Sequence, residues 1–327
     1  MKHLFLFLSF LLFSCTPSKE PQIAIVHHQH ISDGHVHLMS PQLIALWKSM
    51  GIPFSKKEAF YSDIDTIMTT SGAEKINLIS MAYVYSSQEF GGGTQNIIQK
   101  FREENDFLAY SKSKYKNRIK AFFGIDPLSE FALEEIKRCY NILKLDGIKI
   151  HHNASQVYLT EPEHLQKVKA LFQYASDQKI PILMHFDNGH RKFGKTDVQI
   201  LADSVLAKLD FVDIQIAHFG TSGGFSPKTK EVLDTFIALF NINHPIARQN
   251  IKFDISAVAL DKDAEGVKQL TESEFIELAE YTRKIGFKRI VFGTDYPLYK
   301  SSEYLNILIK KLHLSDKEIN QLLFKTS

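Results

Sequence analysis

The feature that most restricts this chain is a rhythm. From about residue 29 onward, short β-branched or aromatic runs alternate with longer amphipathic segments, and the alternation repeats eight times. The runs read as strands are HISDGHVH (30–37), KINLISMAYV (75–84), IKAFFGID (119–126), GIKIHH (147–152), PILMHF (181–186), DIQIAHF (213–219), IKFDISAV (251–258) and RIVFGTD (289–295). Most are apolar on both faces, as strands covered by helices must be. Between them lie helix signals, three of which open with Thr or Ser followed three residues later by Glu: Thr160 with Glu163, Thr271 with Glu274, and Ser315 with Glu318. After Thr160, Leu165, Val168, Leu171, Phe172 and Ala175 fall on one helical stripe, with Gln166, Lys167, Lys169 and Gln173 elsewhere. Eight strand-then-helix units without a linker-like break predict an α/β fold of the closed (β/α)8 TIM-barrel kind. An open doubly wound sheet would want a glycine-rich turn after a strand, and Gly91-Gly92-Gly93 lacks that spacing.

The bulk composition narrows the partners. The chain has 327 residues, 44% hydrophobic and 23% charged, enough for one large core. Its 39 basic and 37 acidic residues are interspersed, so there is no electrostatic footprint for nucleic acid. The expected partner is a small-molecule substrate.

The N-terminus has a different character. Met1-Lys2-His3 precedes an apolar run, Leu4 to Phe13, that is shorter than the roughly 20 residues needed to span a bilayer and suits a secretory signal. Leu12-Phe13-Ser14-Cys15 resembles the lipobox of bacterial lipoproteins, whose cysteine is lipidated and whose chain is cut just before it. The expectation is a signal peptide over 1–14, a lipidated Cys15 heading a polar tether over 15–28, and one catalytic domain over 29–327. That places the protein at the bacterial cell envelope, anchored to a membrane through Cys15. Cys139 lies in a predicted helix as a small core residue, and with Cys15 lipidated no intrachain disulfide is possible.

Active sites of such barrels lie at the C-terminal ends of the strands. His35 and His37 end strand 1, with Asp33 on the same face by alternation. Lys149 and His151 end strand 4, opposite Ile148 and Ile150, so both should point into the barrel. His185, His218 and Asp295 end strands 5, 6 and 8, and Asp254 with Ser256 turns inward on strand 7. A single histidine in a strand is commonly a hydrogen-bonded core residue. Several from separate strands, with an aspartate, offer the nitrogen and oxygen donors that a cation such as Zn²⁺ accepts. His27, His28 and His30 precede strand 1 at the wrong end for catalysis and read as surface residues.

In order along the chain, DGHVHL, GIKIHH, ILMHFDNG, IAHFGTSGG and IVFGTDYP resemble the amidohydrolase superfamily. The likeness is to its amidohydrolase-related branch, which includes aminocarboxymuconate-semialdehyde decarboxylase, and extends from about Ile31 to the last helix. It implies that His35, His37, His185 and Asp295 bind a divalent metal, Zn²⁺ by expectation. His218 is then a further ligand or the group that positions and deprotonates water, and His218 and Asp295 are the catalytic pair. Binuclear members carry a carboxylated strand 4 lysine. The related branch more usually holds one metal, which leaves Lys149 and His151 to bind a substrate carboxylate. Asp33 reads as a structural residue or a supporting partner rather than a ligand, since a hydrogen bond to a ligating imidazole fixes its tautomer.

The implied reaction is hydrolysis of a small amide, ester or lactone, with decarboxylation of a small unsaturated or aromatic carboxylate as the alternative. A non-catalytic envelope binding protein would have no use for this donor set. A nuclease of the TatD type would want a glutamate where Lys149 stands. Residues 39–57, with Trp47, and 85–96 are expected to form the mouth. The sequence does not encode the oligomeric state, and the branch, commonly dimeric, leaves a homodimer open.

Overall fold

In a computed structural model, which describes His30–Leu323 apart from Gly92, Thr94 and Glu265, eight parallel strands are hydrogen-bonded in chain order. They are β1 (Ser32–Leu38), β2 (Lys75–Ser80), β3 (Ile119–Ile125), β4 (Gly147–His151), β5 (Ile182–His185), β6 (Asp213–Ile216), β7 (Asn250–Asp254) and β8 (Ile290–Val291). The expected signal segment, Cys15 and the tether lie outside the described residues.

Closure runs past the end of the short β8. Gly34 N donates to Phe292 O at 2.8 Å, Tyr296 N to His35 O at 3.3 Å, and His37 N to Tyr296 O at 3.1 Å. These bonds bring the last strand back to the first, and the result is the (β/α)8 barrel that the alternation predicts.

Side-chain alternation sorts the interior into two layers. Ile76, Ala121, Phe123, Ile148, Ile150, Ile214 and Phe253 face outward into the main core between sheet and helices. Ile79, Phe122, Leu183 and Ala217 belong to a second apolar cluster that fills the barrel and extends toward its C-terminal mouth. Gly147 makes room for this filling, because a Cβ there would sit 2.5 Å from the Phe122 ring.

Two helix starts are as read. Thr271 accepts from Glu274 N while Glu274 accepts from Thr271 N at 2.8 Å, and Ser315 with Glu318 does the same. The third differs: the helix Pro162–Gln178 has Glu161 in the N-cap position, with no side-chain cap and without Thr160. Pro162 presets the first helical turn and holds the residue before it extended, so the start moves one residue on. Of its stripe, Val168, Leu171, Phe172 and Ala175 are buried as expected, and Leu165 is partly buried against the same core.

Several strands end earlier than their apolar runs. β2 gives way to a 3₁₀ turn over Ala82–Ser86, and β6 to another over Ala217–Gly220, which moves both chain segments across the mouth. Among the described residues no helix is long and apolar enough to cross a membrane.

Candidate active site

Five imidazoles line one arc of the C-terminal mouth. Their ring centroids follow one another from His37 to His35 at 5.0 Å, His35 to His218 at 4.7 Å, His218 to His185 at 5.3 Å and His185 to His151 at 3.8 Å. Tyr83 stacks on His151 at 4.7 Å and ends the arc. The residues singled out from strands 1, 4, 5 and 6 therefore meet at one rim.

Asp295 closes the site from the strand 8 side. Its Oδ1 lies 3.0 Å from His37 Nε2 and 3.4 Å from His35 Nε2. Burial alone would raise its pKa, but the imidazoles of His218, His37 and His35 outweigh that and hold the carboxyl well below the usual carboxylate range.

A different aspartate fixes the rings. Asp254 Oδ2 lies 3.0 Å from His35 Nδ1 and accepts from Gln215 Nε2 at 2.7 Å, while Oδ1 accepts from His218 N at 3.0 Å and Ser256 Oγ at 2.5 Å. Burial works against its ionisation, yet the adjacent His35 and His218 rings and Ser256 keep it well below the carboxylate range. With Asp254 ionised, His35 Nδ1 must be the donor, which leaves Nε2 bare and facing Asp295. Burial pushes His35 itself down to about 4, so it is a neutral ligand-type imidazole at pH 7.

His218 is arranged in the same way. Its Nδ1 lies 2.9 Å from Ser256 O, a carbonyl that can only accept, so the neutral ring carries its proton there and presents Nε2 to the mouth. The backbone is left-handed at His218, Ala257 and Asp295, with φ of 51°, 52° and 57°. Each costs roughly 1–3 kcal/mol in a non-glycine residue, and at His218 and Asp295 the strained backbone turns the side chain toward the imidazole arc.

Donor chemistry tests whether a cation fits. His35, His37 and Asp295 bring three ligand atoms within 4.8 Å of one another, and so do His35, His218 and Asp254. In the second group both Asp254 oxygens are already filled by five donors, Ser256 N being the fifth. In the first, His35 Nε2 is buried without a hydrogen-bond partner, which is the mark of an atom awaiting a Lewis acid. His35, His37 and Asp295 therefore fit a divalent metal.

His185 stands apart from both groups. Its Nε2 lies 3.1 Å from Ser222 Oγ, and its ring faces His151 and His218 rather than the His35–His37 pair. Burial, reinforced by His151 and His218, drives it well below the usual imidazole range. His151 accepts from Ala154 N at 3.2 Å through Nδ1, so its neutral form carries a hydrogen on Nε2. Lys149 is 1% exposed, with its ammonium 5.8 Å from the Tyr83 ring centre. Burial lowers it to about 8, against the pull of Asp254 and Asp295.

Asp33 takes the structural one of its two readings. A register shift between Asp33 and Val36 breaks the alternation, and its carboxylate accepts from His35 N, Thr294 N, Thr294 Oγ1 and Ser301 Oγ. It pins strand 1 to the segment after strand 8, while Asp254 holds the imidazole. Gln215 is a supporting residue the sequence reading passed over; its signal is one polar side chain between Ile214 and Ile216 on an inward position. The two segments expected at the mouth do meet, Trp47 Nε1 donating to Phe90 O at 3.2 Å with Phe54 packed on the indole.

A (β/α)8 barrel whose histidines and aspartates converge at the C-terminal rim defines a metal-dependent barrel enzyme. The chain belongs to the amidohydrolase family, whose signature matches residues 80–326. That match starts after His35 and His37, so their place in the site rests on the geometry above. Among curated proteins no relative is found.

Solved structures share the fold at low identity. A 2,6-dihydroxybenzoate decarboxylase bound to 2,6-dihydroxybenzoate is 17% identical with a TM-score of 0.59, over 90% of this chain and 97% of that one. A dihydroxybenzoic acid decarboxylase from Polaromonas sp. JS666, with manganese and 2-nitroresorcinol, is 16% identical with a TM-score of 0.60, over 90% and 95%. The 5-carboxyvanillate decarboxylase of Sphingomonas paucimobilis is 14% identical with a TM-score of 0.59, over 90% and 96%. Family and neighbours together indicate a divalent-metal enzyme, hydrolase or decarboxylase.

Proposed function

We propose that the protein is a metal-dependent decarboxylase acting on a small unsaturated or aromatic carboxylate. One observation carries the reading: Lys149 is a buried cation facing the imidazole arc, and among the described residues no carboxylate is ion-paired with it. A substrate carboxylate is the partner that would offset its desolvation. The His151 Nε2 hydrogen and the Tyr83 ring, stacked beside it, suit a planar anion lying against this wall. The solved relatives named as decarboxylases support the same choice over hydrolysis, the other reading of this site.

His35, His37 and Asp295 would hold one divalent cation, with His185 a further donor once its bond to Ser222 is released. The nitrogen-rich set suits Zn²⁺, and Mn²⁺ is the ion in one related decarboxylase. A bound cation supplies Lewis-acid polarisation of a substrate oxygen. Lys149 and His151 orient the carboxylate, and the aromatic wall excludes water from it. The carbon–carbon bond breaks, its electron pair remains on the substrate carbon, carbon dioxide leaves, and that carbon takes a proton. The proton comes from solvent water: His218 Nε2, bare in the neutral ring, is placed to take it up and pass it to that carbon, with the Asp295 carboxylate beside it to offset the imidazolium charge. Lys149 acts as an ammonium in this scheme, so a carboxylated lysine and a second metal have no part in it.

The test is product analysis of the metal-loaded enzyme on a panel of hydroxylated benzoates and small unsaturated acids in deuterated water. The expected result is carbon dioxide with one deuterium at the vacated carbon, lost in Lys149→Met. Turnover of amides, esters or lactones to a new acid, without carbon dioxide from any carboxylate, would return the hydrolase reading. We further propose attachment at the bacterial envelope through Cys15, supported by the LFSC run after a short apolar segment. Labelled palmitate should enter the wild type and not Cys15→Ser.

A further inference from the structure

The N-terminal mouth of the barrel takes no part in this chemistry, yet it is built around positive charge. A cavity of about 740 Å³ opens there, and its lining includes Lys75, Lys120 and Lys252, with Lys116 and Arg118 at its edge. Alternation puts the first three inside, since Ile76, Ile119 and Ile251 beside them face outward into the helix-covered core. Strands β2, β3 and β7 thus each place one lysine at the opening of this cavity, Lys75 and Lys120 exposed and Lys252 half-buried. Packing gains nothing from them, because like charges gathered around one opening repel one another.

The acidic residues of the cavity have hydrogen-bond partners of their own, and only Asp146 is ion-paired. Asp146 pairs with Lys112 at 2.8 Å and accepts from Ala121 N at 2.7 Å; Asp213 accepts from the Asn250 side chain at 2.7 Å; Asp33 is bound by Thr294 and Ser301. Arg118 spends Nε and Nη2 on the carbonyls of Glu74 and Ala73. Among the described residues Lys75, Lys116, Lys120 and Lys252 form no ion pair. The floor is closed, Asn77 Nδ2 donating to Gln215 Oε1 at 3.3 Å and Gln215 Nε2 to Gly34 O at 2.9 Å. Phe122 lines the same floor, so an occupant would be sealed from the imidazole arc.

We propose that this mouth is a binding site for a phosphate-bearing anion. Three lysines from three strands match a group with several charged oxygens better than a single carboxylate, and lysine binds phosphate as a point charge. The volume accepts a phosphate with a small organic body. The phosphate could belong to a soluble metabolite or to the headgroup of an anionic lipid, and β1 emerges from this face.

The test uses the full-length, metal-loaded chain at about 0.15 M salt, where exposed charges are largely screened beyond roughly 8 Å. Pyrophosphate binding is measured by calorimetry, and co-sedimentation is measured with phosphatidylglycerol and with phosphatidylcholine vesicles. The variants are Lys75→Gln/Lys120→Gln/Lys252→Gln and the matching triple Arg, each checked for wild-type metal content as proof of folding. Saturable pyrophosphate binding, weakened at least about tenfold by Gln and kept by Arg, supports a soluble phosphate ligand. Lysine-dependent binding to phosphatidylglycerol alone supports a headgroup. Absence of both, or binding that the Gln variant leaves unchanged, overturns the proposal.

Discussion

Asp254 is the residue on which the imidazole geometry depends, since one carboxylate takes hydrogen bonds from His35, Gln215, His218 and Ser256. Supporting carboxylates of this type typically carry 10–100-fold in metal affinity. Asp254→Asn should lower metal affinity by about that factor, read by competition with a chelating dye. It should also cost about 3 kcal/mol in urea unfolding, because it breaks a buried charge network. Glu104 gives a second test at this scale. Its Oε1 accepts from Ser40 N at 2.8 Å, the start of the helix Pro41–Ser49, and burial raises its carboxyl from 4.5 to about 7. The folded state therefore holds this proton more tightly than the unfolded chain. Its contribution is full below about 4.5, falls as pH rises to about 7, and is flat above, a change of about 3 kcal/mol. Glu104→Gln, which keeps the neutral shape, should flatten unfolding free energy across that window, and an unaltered pH slope would assign it to other groups.

At the scale of elements, the barrel was legible because alternation and amphipathic stripes are local. Ile148 and Ile150 outward with Lys149 and His151 inward needed only the period of a strand. What stayed hidden depends on departures from that period. The register shift after Asp33 turned its carboxylate from the imidazoles to Thr294 and Ser301, and nothing in SDGHVHL marks a bulge apart from Gly34. His218 and Asp295 take left-handed backbone just past β6 and β8, so their aim follows from turn geometry that apolar runs do not encode. Thr160 lost its capping role to the proline two residues on. The glycine of GIKIHH has a packing role, which gives a prediction. Gly147→Ala pushes a methyl onto the Phe122 ring and should cost about 1–3 kcal/mol of stability, with Phe122→Leu recovering part of it in the double variant. If the single variant unfolds like wild type in urea, the barrel interior is looser than the packing implies.

The molecule as a whole presents two mouths with opposite equipment. The C-terminal one gathers imidazoles and carboxylates under the Trp47, Phe54 and Phe90 cover; the N-terminal one gathers lysines. Both follow from one rule, that residues between outward-facing isoleucines must point into the barrel. The layer of Ile79, Phe122, Leu183 and Ala217 separates them. Charge changes at the lower mouth should accordingly leave metal content alone, whereas His37→Ala should reduce metal binding by at least about tenfold without touching anion binding. The proposed chemistry requires one metal at the upper rim. Crystals of the protein loaded with Mn²⁺ should show a single stoichiometric anomalous scattering peak within bonding distance of His35 Nε2, a His37 ring nitrogen and an Asp295 oxygen. A peak at the Asp254 oxygens, at the opposite mouth, or no peak under saturating metal would contradict it.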